Sequence, residues 1–148
     1  MKILVQVVDR ASVVVEEKEV SSIGKGYLIL VSFNNEDTYE IIDRMVEKLC
    51  KTRLFLDENG KTNLSIFDVN GEILSVSQFT LYGSLRKTNR PSFVNSCKYD
   101  LAETYYNYFN DKLKEKISTK CGVFGADMKI ELVNNGPFTM MIDSDEVF

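Results

Sequence analysis

MKILVQVVDRASVVVEEKEVSSIGKGYLILVSF, residues 1–33, carries no helical period, and its reading decides the fold. Ile3 to Val8 and Ser12 to Val15 are rich in β-branched residues, and Glu17-Lys18 lies between short apolar runs where a turn belongs. The chain is therefore expected to open with a hairpin. Gly24 and Gly26 then bracket the way into a further strand, Tyr27 to Phe33. From Asp37 the period changes: Ile41, Ile42, Met45, Val46 and Leu49 recur at helical spacing, and Asp37 with Glu40 stands where a capping-box pair would, so a helix is predicted over Thr38 to Lys51.

Strand character returns at Arg53 to Leu56, and Asp57-Glu58-Asn59-Gly60 and Asn70-Gly71 supply turn chemistry around Leu64 to Phe67. A long run from Glu72 to Leu81 follows and reads as strand throughout. A second helix is marked by Asp100 and Glu103 and by an apolar side made of Leu101, Tyr105, Tyr108, Phe109, Leu113 and Ile117. Lys129 to Val133 and Phe138 to Ile142 are two short strands about the turn Asn134-Asn135-Gly136-Pro137, and Asp143 to Glu146 is an acidic end expected to fray. The predicted class is α+β: a curled, mostly antiparallel, barrel-like sheet carrying two main helices on one side.

Composition bounds the function. With 148 residues, 44% hydrophobic and 27% charged, only two prolines and eight glycines, residues 1–148 are expected to form a single domain without linkers. No apolar run approaches the roughly 20 residues that cross a bilayer, and Asp9 interrupts the opening apolar stretch, so a soluble, cytoplasmic protein with no membrane partner is expected. The chain has no histidine, which excludes a Ser-His-Asp triad, a Cys-His pair and histidine-containing zinc sites. Cys50, Cys97 and Cys121 are odd in number and far apart, so buried reduced thiols are expected rather than a disulfide or metal site. Net charge is −4, which disfavours broad binding to duplex DNA. Ser84 to Lys98 is a local exception, with Arg86, Lys87, Arg90 and Lys98 and no acid.

Four segments can carry chemistry. In Ser77-Gln78-Phe79-Thr80-Leu81-Tyr82, hydroxyl and amide side chains alternate with bulky apolar ones. On a strand, Ser77, Phe79 and Leu81 would share one face and Gln78, Thr80 and Tyr82 the other. Pattern alone fits an ordinary half-buried strand as well as a strand end offering amides and hydroxyls to a substrate. The others are Asn134 to Thr139, where a cis X-Pro bond is accessible, Phe124-Gly125-Ala126-Asp127-Met128, and Arg90-Pro91-Ser92-Phe93.

Together these segments resemble the D-aminoacyl-tRNA deacylase family, also called D-tyrosyl-tRNA deacylases. The resemblance runs through Arg10 to Val13, Ile23 to Gly26, Arg53 to Phe55, Gly60 to Ser65, Ser77 to Tyr82, Arg90 to Phe93, Phe124 to Met128 and Asn134 to Thr139. Its hallmarks are the Ser-Gln-Phe-Thr-Leu and Asn-x-Gly-Pro-x-Thr runs. The resemblance implies a homodimer that hydrolyses the ester joining a D-amino acid, or mischarged glycine, to the terminal adenosine of tRNA and spares L-aminoacyl-tRNA. It implies a catalytic segment Ser77, Gln78, Phe79 and Thr80, and a Gly136-Pro137 peptide that is cis and enters the other subunit's pocket to exclude L side chains. It also implies substrate contacts from Phe124, Met128, Asn134 and Thr139, with Phe124 stacking on the terminal adenine.

No cofactor or metal is implied. Catalysis would rest on main-chain N–H groups near Phe79 and Thr80 and on the substrate's ribose 2′-hydroxyl, which accords with the missing histidine. Thr80 as nucleophile is the less favoured alternative, since no base adjoins it. One departure stands out. The family usually carries arginine after the first-strand glutamine, to fix the Gly-Pro loop, whereas this chain has Gln6-Val7. Asn135 replaces a common aspartate and Gly83 a common alanine. A non-catalytic dimeric RNA-binding module and a deacylase of relaxed chirality are the competing expectations.

Overall fold

The computed structural model describes residues 1–148. In chain order the elements are β1 (Lys2–Val15), β2 (Lys18–Ile23), β3 (Gly26–Ser32), α1 (Tyr39–Lys51), β4 (Phe55–Leu56), β5 (Thr62–Leu64), β6 (Glu72–Ser77), a 3-10 turn (Phe79–Tyr82), α2 (Tyr99–Lys114), β7 (Thr119–Cys121), β8 (Lys129–Asp143) and α3 (Ser144–Val147). The two β-branched runs at the start are one continuous strand. Its hairpin turn lies one residue earlier than expected, on Glu16 and Glu17, whose φ of 50° and 65° supply the left-handed pair that matches strand twist.

β1 organises the sheet. Its first half pairs antiparallel with β3 and its second half with β2, while β8 pairs along its other edge from Lys2 to Val14. Opposite β8, the register slips between Val8 and Arg10, where β1 holds one residue too many. That bulge changes which face the side chains take. Ile3, Val5 and Val7 belong to the larger core under the helices, whereas Val8, Ala11 and Val13 belong to a second core inside the curl with Ile23, Leu28, Leu74 and Val76.

The antiparallel expectation holds around β1, but β3–β6 and β6–β7 are parallel, so the sheet is mixed. Parallel neighbours require a crossover. α1 provides the first and α2 the second. In α1, Ile42, Met45, Val46, Leu49 and Cys50 are buried along one stripe, each large apolar side chain contributing roughly 1.5–3 kcal/mol. The cap differs from expectation: Thr38, not Asp37, receives the Ile41 N–H, at 3.3 Å. Asp37 is buried and takes the chain's N-terminal ammonium at 2.7 Å and the Asn34 N–H at 2.8 Å. In α2 the buried side is Tyr105, Tyr106, Phe109, Asn110 and Leu113. Tyr108 instead reaches out to Asp43 at 2.8 Å, and Ile117 lies past the helix end.

Three further expectations are corrected. β6 stops at Ser77, because β3 ends at Ser32 and offers no rung beyond the Gln78 N–H bond to Val31 O at 2.8 Å. The chain then closes on itself in the 3-10 turn, with Leu81 N–H to Gln78 O at 3.3 Å and Gly83 N–H to Thr80 O at 2.9 Å. The strand alternation read from Ser77 to Tyr82 therefore does not apply. The acidic end does not fray either: buried Ser144 accepts from the N-terminal ammonium at 2.7 Å, and Phe148 lies under the Arg44 guanidinium. Of the cysteines only Cys50 is buried, while Cys97 and Cys121 are half-buried. No helix is long and apolar enough to cross a membrane.

Candidate active site

The end of β6, the 3-10 turn, the approach to α2 and the loop before β8 enclose a cleft of about 590 Å³. Ser77, Gln78 and Phe79 line it from one side, Phe124 and Met128 from another, and Phe93, Ser96 and Tyr99 close it. Three of the four sequence segments, the outer two more than 40 residues apart, thus meet in one place. Thr80 stands exposed beside it, its hydroxyl accepting from the Gln78 amide at 2.6 Å.

The 3-10 turn leaves two backbone donors beside this cleft. Its first internal bond is made by Leu81 N–H, so the N–H groups of Phe79 and Thr80 precede the ladder and have no acceptor within the turn. The Phe79 carbonyl accepts from Ser96 Oγ at 3.0 Å and from Ser32 Oγ at 3.4 Å. The Phe79 ring meets Phe93 edge-on at 5.0 Å. Gly83 permits this approach: a Cβ there would stand 2.9 Å from the Phe93 ring. Across the cleft, Phe124 is held by Tyr99 at 5.1 Å and Tyr106 at 5.7 Å between ring centres. Gly125, at φ +76°, turns the chain directly beneath the Tyr99 hydroxyl, where a Cβ has no room.

The only carboxylate lining the cleft is Asp127. Burial, then the nearby Asp37 charge, pushes the Cys97 thiol up, keeping it protonated and poorly nucleophilic. Tyr82 is raised by the same two causes in the same order, and burial pushes Tyr106 up to about 12. No cluster of three Cys, Asp or Glu side chains gathers to hold an ion. The chemistry on offer is main-chain hydrogen bonding to a developing oxyanion, with an apolar bed beside it.

Gly136, Pro137, Asn134 and Thr139 do not line this cleft. They form a loop that leaves the β1–β8 ladder: from Gln6 to Val8, two steps along β1 are matched by five along β8, from Thr139 back to Asn134. The Gly136–Pro137 bond is cis and both residues are exposed. Asn134 brackets the loop, its amide donating to Val7 O and Phe138 O, each at 2.9 Å, while its oxygen accepts from Phe138 N–H at 3.1 Å. Asn135 donates to Asp9 at 2.9 Å and Gln6 to Thr139 at 3.2 Å. The loop is thus anchored by amide side chains, one of them on the Asp9 carboxylate. An aspartate at 135 would face Asp9 with like charge.

Sequence reading missed Ser32 and Ser96. Neither belongs to a motif, and nothing in the sequence ties two serines to a carbonyl some 17 residues from the nearer one. The basic segment is a loop pinned by reciprocal Ser84–Ser92 bonds of 2.9 Å, with Arg86, Lys87 and Arg90 exposed and in no ion pair. It leads directly to Phe93 and the cleft.

Comparison with known proteins agrees with this geometry. A family model described as D-Tyr-tRNA(Tyr) deacylase matches residues 4–143, and the chain belongs to that family. It is accordingly a hydrolase of D-aminoacyl-tRNA. A solved structure of the c-Myc DNA Unwinding Element Binding Protein is 39% identical, with a TM-score of 0.91 over 97% of this chain and 98% of that one. A probable eukaryotic D-amino acid tRNA deacylase, at 18% identity, shares the fold with a TM-score of 0.84 over 95% and 97% of the two chains.

Proposed function

We propose that this protein, a single domain over its 148 residues, works in the cytoplasm as a homodimer that clears D-amino acids and mischarged glycine from tRNA. In this reading the Gly136-Pro137 loop of each subunit completes the cleft of the other. The observation that carries it is the loop itself: it is exposed, braced at both ends by Asn134, and absent from the lining of its own chain's cleft. The adjoining edge supports the same assembly. β8 pairs only with β1, and Met140 and Met141 are 47% and 39% exposed, an unpaired and partly apolar edge suited to a second copy.

The ester carbonyl is placed against the N–H groups of Phe79 and Thr80, which stabilise the oxyanion as water attacks, with the ribose 2′-hydroxyl assisting the proton transfers. Ser77 and Gln78 shape the floor, and Met128 contacts the aminoacyl end. Asn134 and Thr139 act on the substrate by holding the inserted loop. Pro137 and Gly136 occupy the space an L side chain needs; a D side chain points away, and glycine has none to exclude. Phe124 stacks on the terminal adenine, where the 2′-hydroxyl distinguishes RNA from DNA. Arg86, Lys87 and Arg90 meet acceptor-end phosphates. No metal or other cofactor enters the scheme.

The 39% identical structure bears a DNA-binding name. For this chain a net charge of −4 and one small basic loop favour a single RNA end over a duplex. The test is release of free D-tyrosine from D-tyrosyl-tRNA by the purified protein. Binding without release would favour a non-catalytic RNA-binding module. Replacing Arg86 and Lys87 with alanine should flatten the salt dependence of turnover, and an unchanged slope would remove the loop from the scheme.

A further inference from the structure

The peptide joining Phe79 to Thr80 is planar by resonance and trans, so its C=O and N–H point in opposite directions. Whatever fixes the Phe79 oxygen also fixes the direction of the Thr80 N–H. That oxygen is held by Ser96 Oγ at 3.0 Å and, more loosely, by Ser32 Oγ at 3.4 Å. Both serines have firm supports. Ser32 is the last residue of β3 and only 2% exposed. Ser96 sits in a turn closed by its own N–H to Phe93 O at 3.0 Å, and the next residue ties back to the end of β3 through Cys97 N–H to Phe33 O at 2.9 Å.

The 3-10 turn needs such support. It spans four residues, none of them buried, and the bond that opens it, Leu81 N–H to Gln78 O, is as long as 3.3 Å. A turn of this kind, left alone, rocks about its axis and spreads the directions of its free N–H groups. Hydroxyl donation to the carbonyl also polarises the amide, making its N–H a stronger donor by roughly 10–30%. We infer that Ser96, assisted by Ser32, is a positioning residue that aims the Thr80 N–H at the oxyanion by holding the far side of the same peptide. This rests on the deacylase reading, and neither serine is assigned contact with the substrate.

The experiment compares wild type, Ser96→Ala, Ser96→Thr and Ser32→Ala in D-tyrosyl-tRNA hydrolysis, with the Thr80 amide followed by NMR in the same proteins. Ser96→Ala should lower kcat by roughly tenfold, less than the ~10²–10³ that follows outright loss of an oxyanion donor, and leave KM within about twofold. Ser96→Thr should restore kcat. Ser32→Ala, losing the longer bond, should fall between, with its folded state checked by thermal unfolding. The Thr80 amide should shift and exchange faster in Ser96→Ala. An unchanged kcat in Ser96→Ala, or a rise in KM alone, would overturn the inference, as would a threonine variant no better than alanine. If wild type released no tyrosine, the deacylase reading would fail by itself. The amide shift and exchange then decide the positioning claim, and an unmoved Thr80 amide refutes it.

Discussion

Replacing Asn134 with alanine removes the bracket of the Gly136-Pro137 loop in one step. Three bonds are lost, two at 2.9 Å and one at 3.1 Å, together with a longer contact from the Thr139 hydroxyl at 3.5 Å. Each intact bond contributes a net ~0.5–1.5 kcal/mol, and the site is half-buried, so water recovers part of the loss; about 1.5–3 kcal/mol should disappear. Most of this loosens the loop rather than the whole fold, because the β1–β8 ladder continues on both sides of it. Asn134→Asp separates bracket from bulk. It keeps the acceptor for Phe138 N–H but turns a carboxylate oxygen toward Val7 O and Phe138 O, so it should be at least as disruptive as alanine. In matched assays both variants should retain D-tyrosyl-tRNA turnover within a few-fold and gain measurable hydrolysis of L-tyrosyl-tRNA. Urea unfolding should show the modest loss of stability. An aspartate variant as stable and as selective as wild type would refute the reasoning.

Asp37→Ala leaves the buried N-terminal ammonium without its charged partner and should cost about 3–5 kcal/mol, read as a lower urea midpoint; a loss under about 1 kcal/mol would contradict the buried pair. Burial raises the Cys50 thiol from 9.0 to about 11, so the folded state holds that proton more tightly than the unfolded chain. Its contribution is intact below pH 9 and is lost as pH rises through 11, about 2–3 kcal/mol in all. Cys50→Ala should accordingly flatten the fall in stability between pH 8.5 and 10.5, and an unaltered slope would count against it. Gly125→Ala, at φ +76° and under the Tyr99 hydroxyl, should displace Phe124 and weaken tRNA affinity roughly tenfold, with about 1–2 kcal/mol lost in stability; unchanged affinity would detach Phe124 from the adenine.

Much of the architecture was legible because it follows period and turn chemistry. The α1 stripe from Ile42 to Leu49, the opening hairpin and the loop at Gly136-Pro137 are local signals, and so are both motifs that mark the family. What escaped depended on distant partners. The run from Glu72 to Leu81 has strand character throughout, yet the ladder stops where β3 stops, at Ser32. Asp37 has the chemistry of a cap, but an ammonium 36 residues away claims it. The acidic end reads as a tail, whereas Ser144 and Phe148 are held by Met1 and Arg44. Within the site, Ser77 to Thr80 and Phe124 to Met128 were visible as motifs, but Ser32 and Ser96 were not, since a hydroxyl bound to a carbonyl leaves no spacing signature. Val7 suggested a weakened loop; only the geometry shows the Asn134 and Asn135 amides bracing it, the latter on the Asp9 carboxylate.

The most direct measurement is the ratio of hydrolysis rates for D-tyrosyl- and L-tyrosyl-tRNA made from the same tRNA, using the wild-type protein at one ionic strength. The account predicts rapid loss of the D ester while the L ester decays no faster than in buffer. Comparable loss of both esters, or of neither, would contradict it.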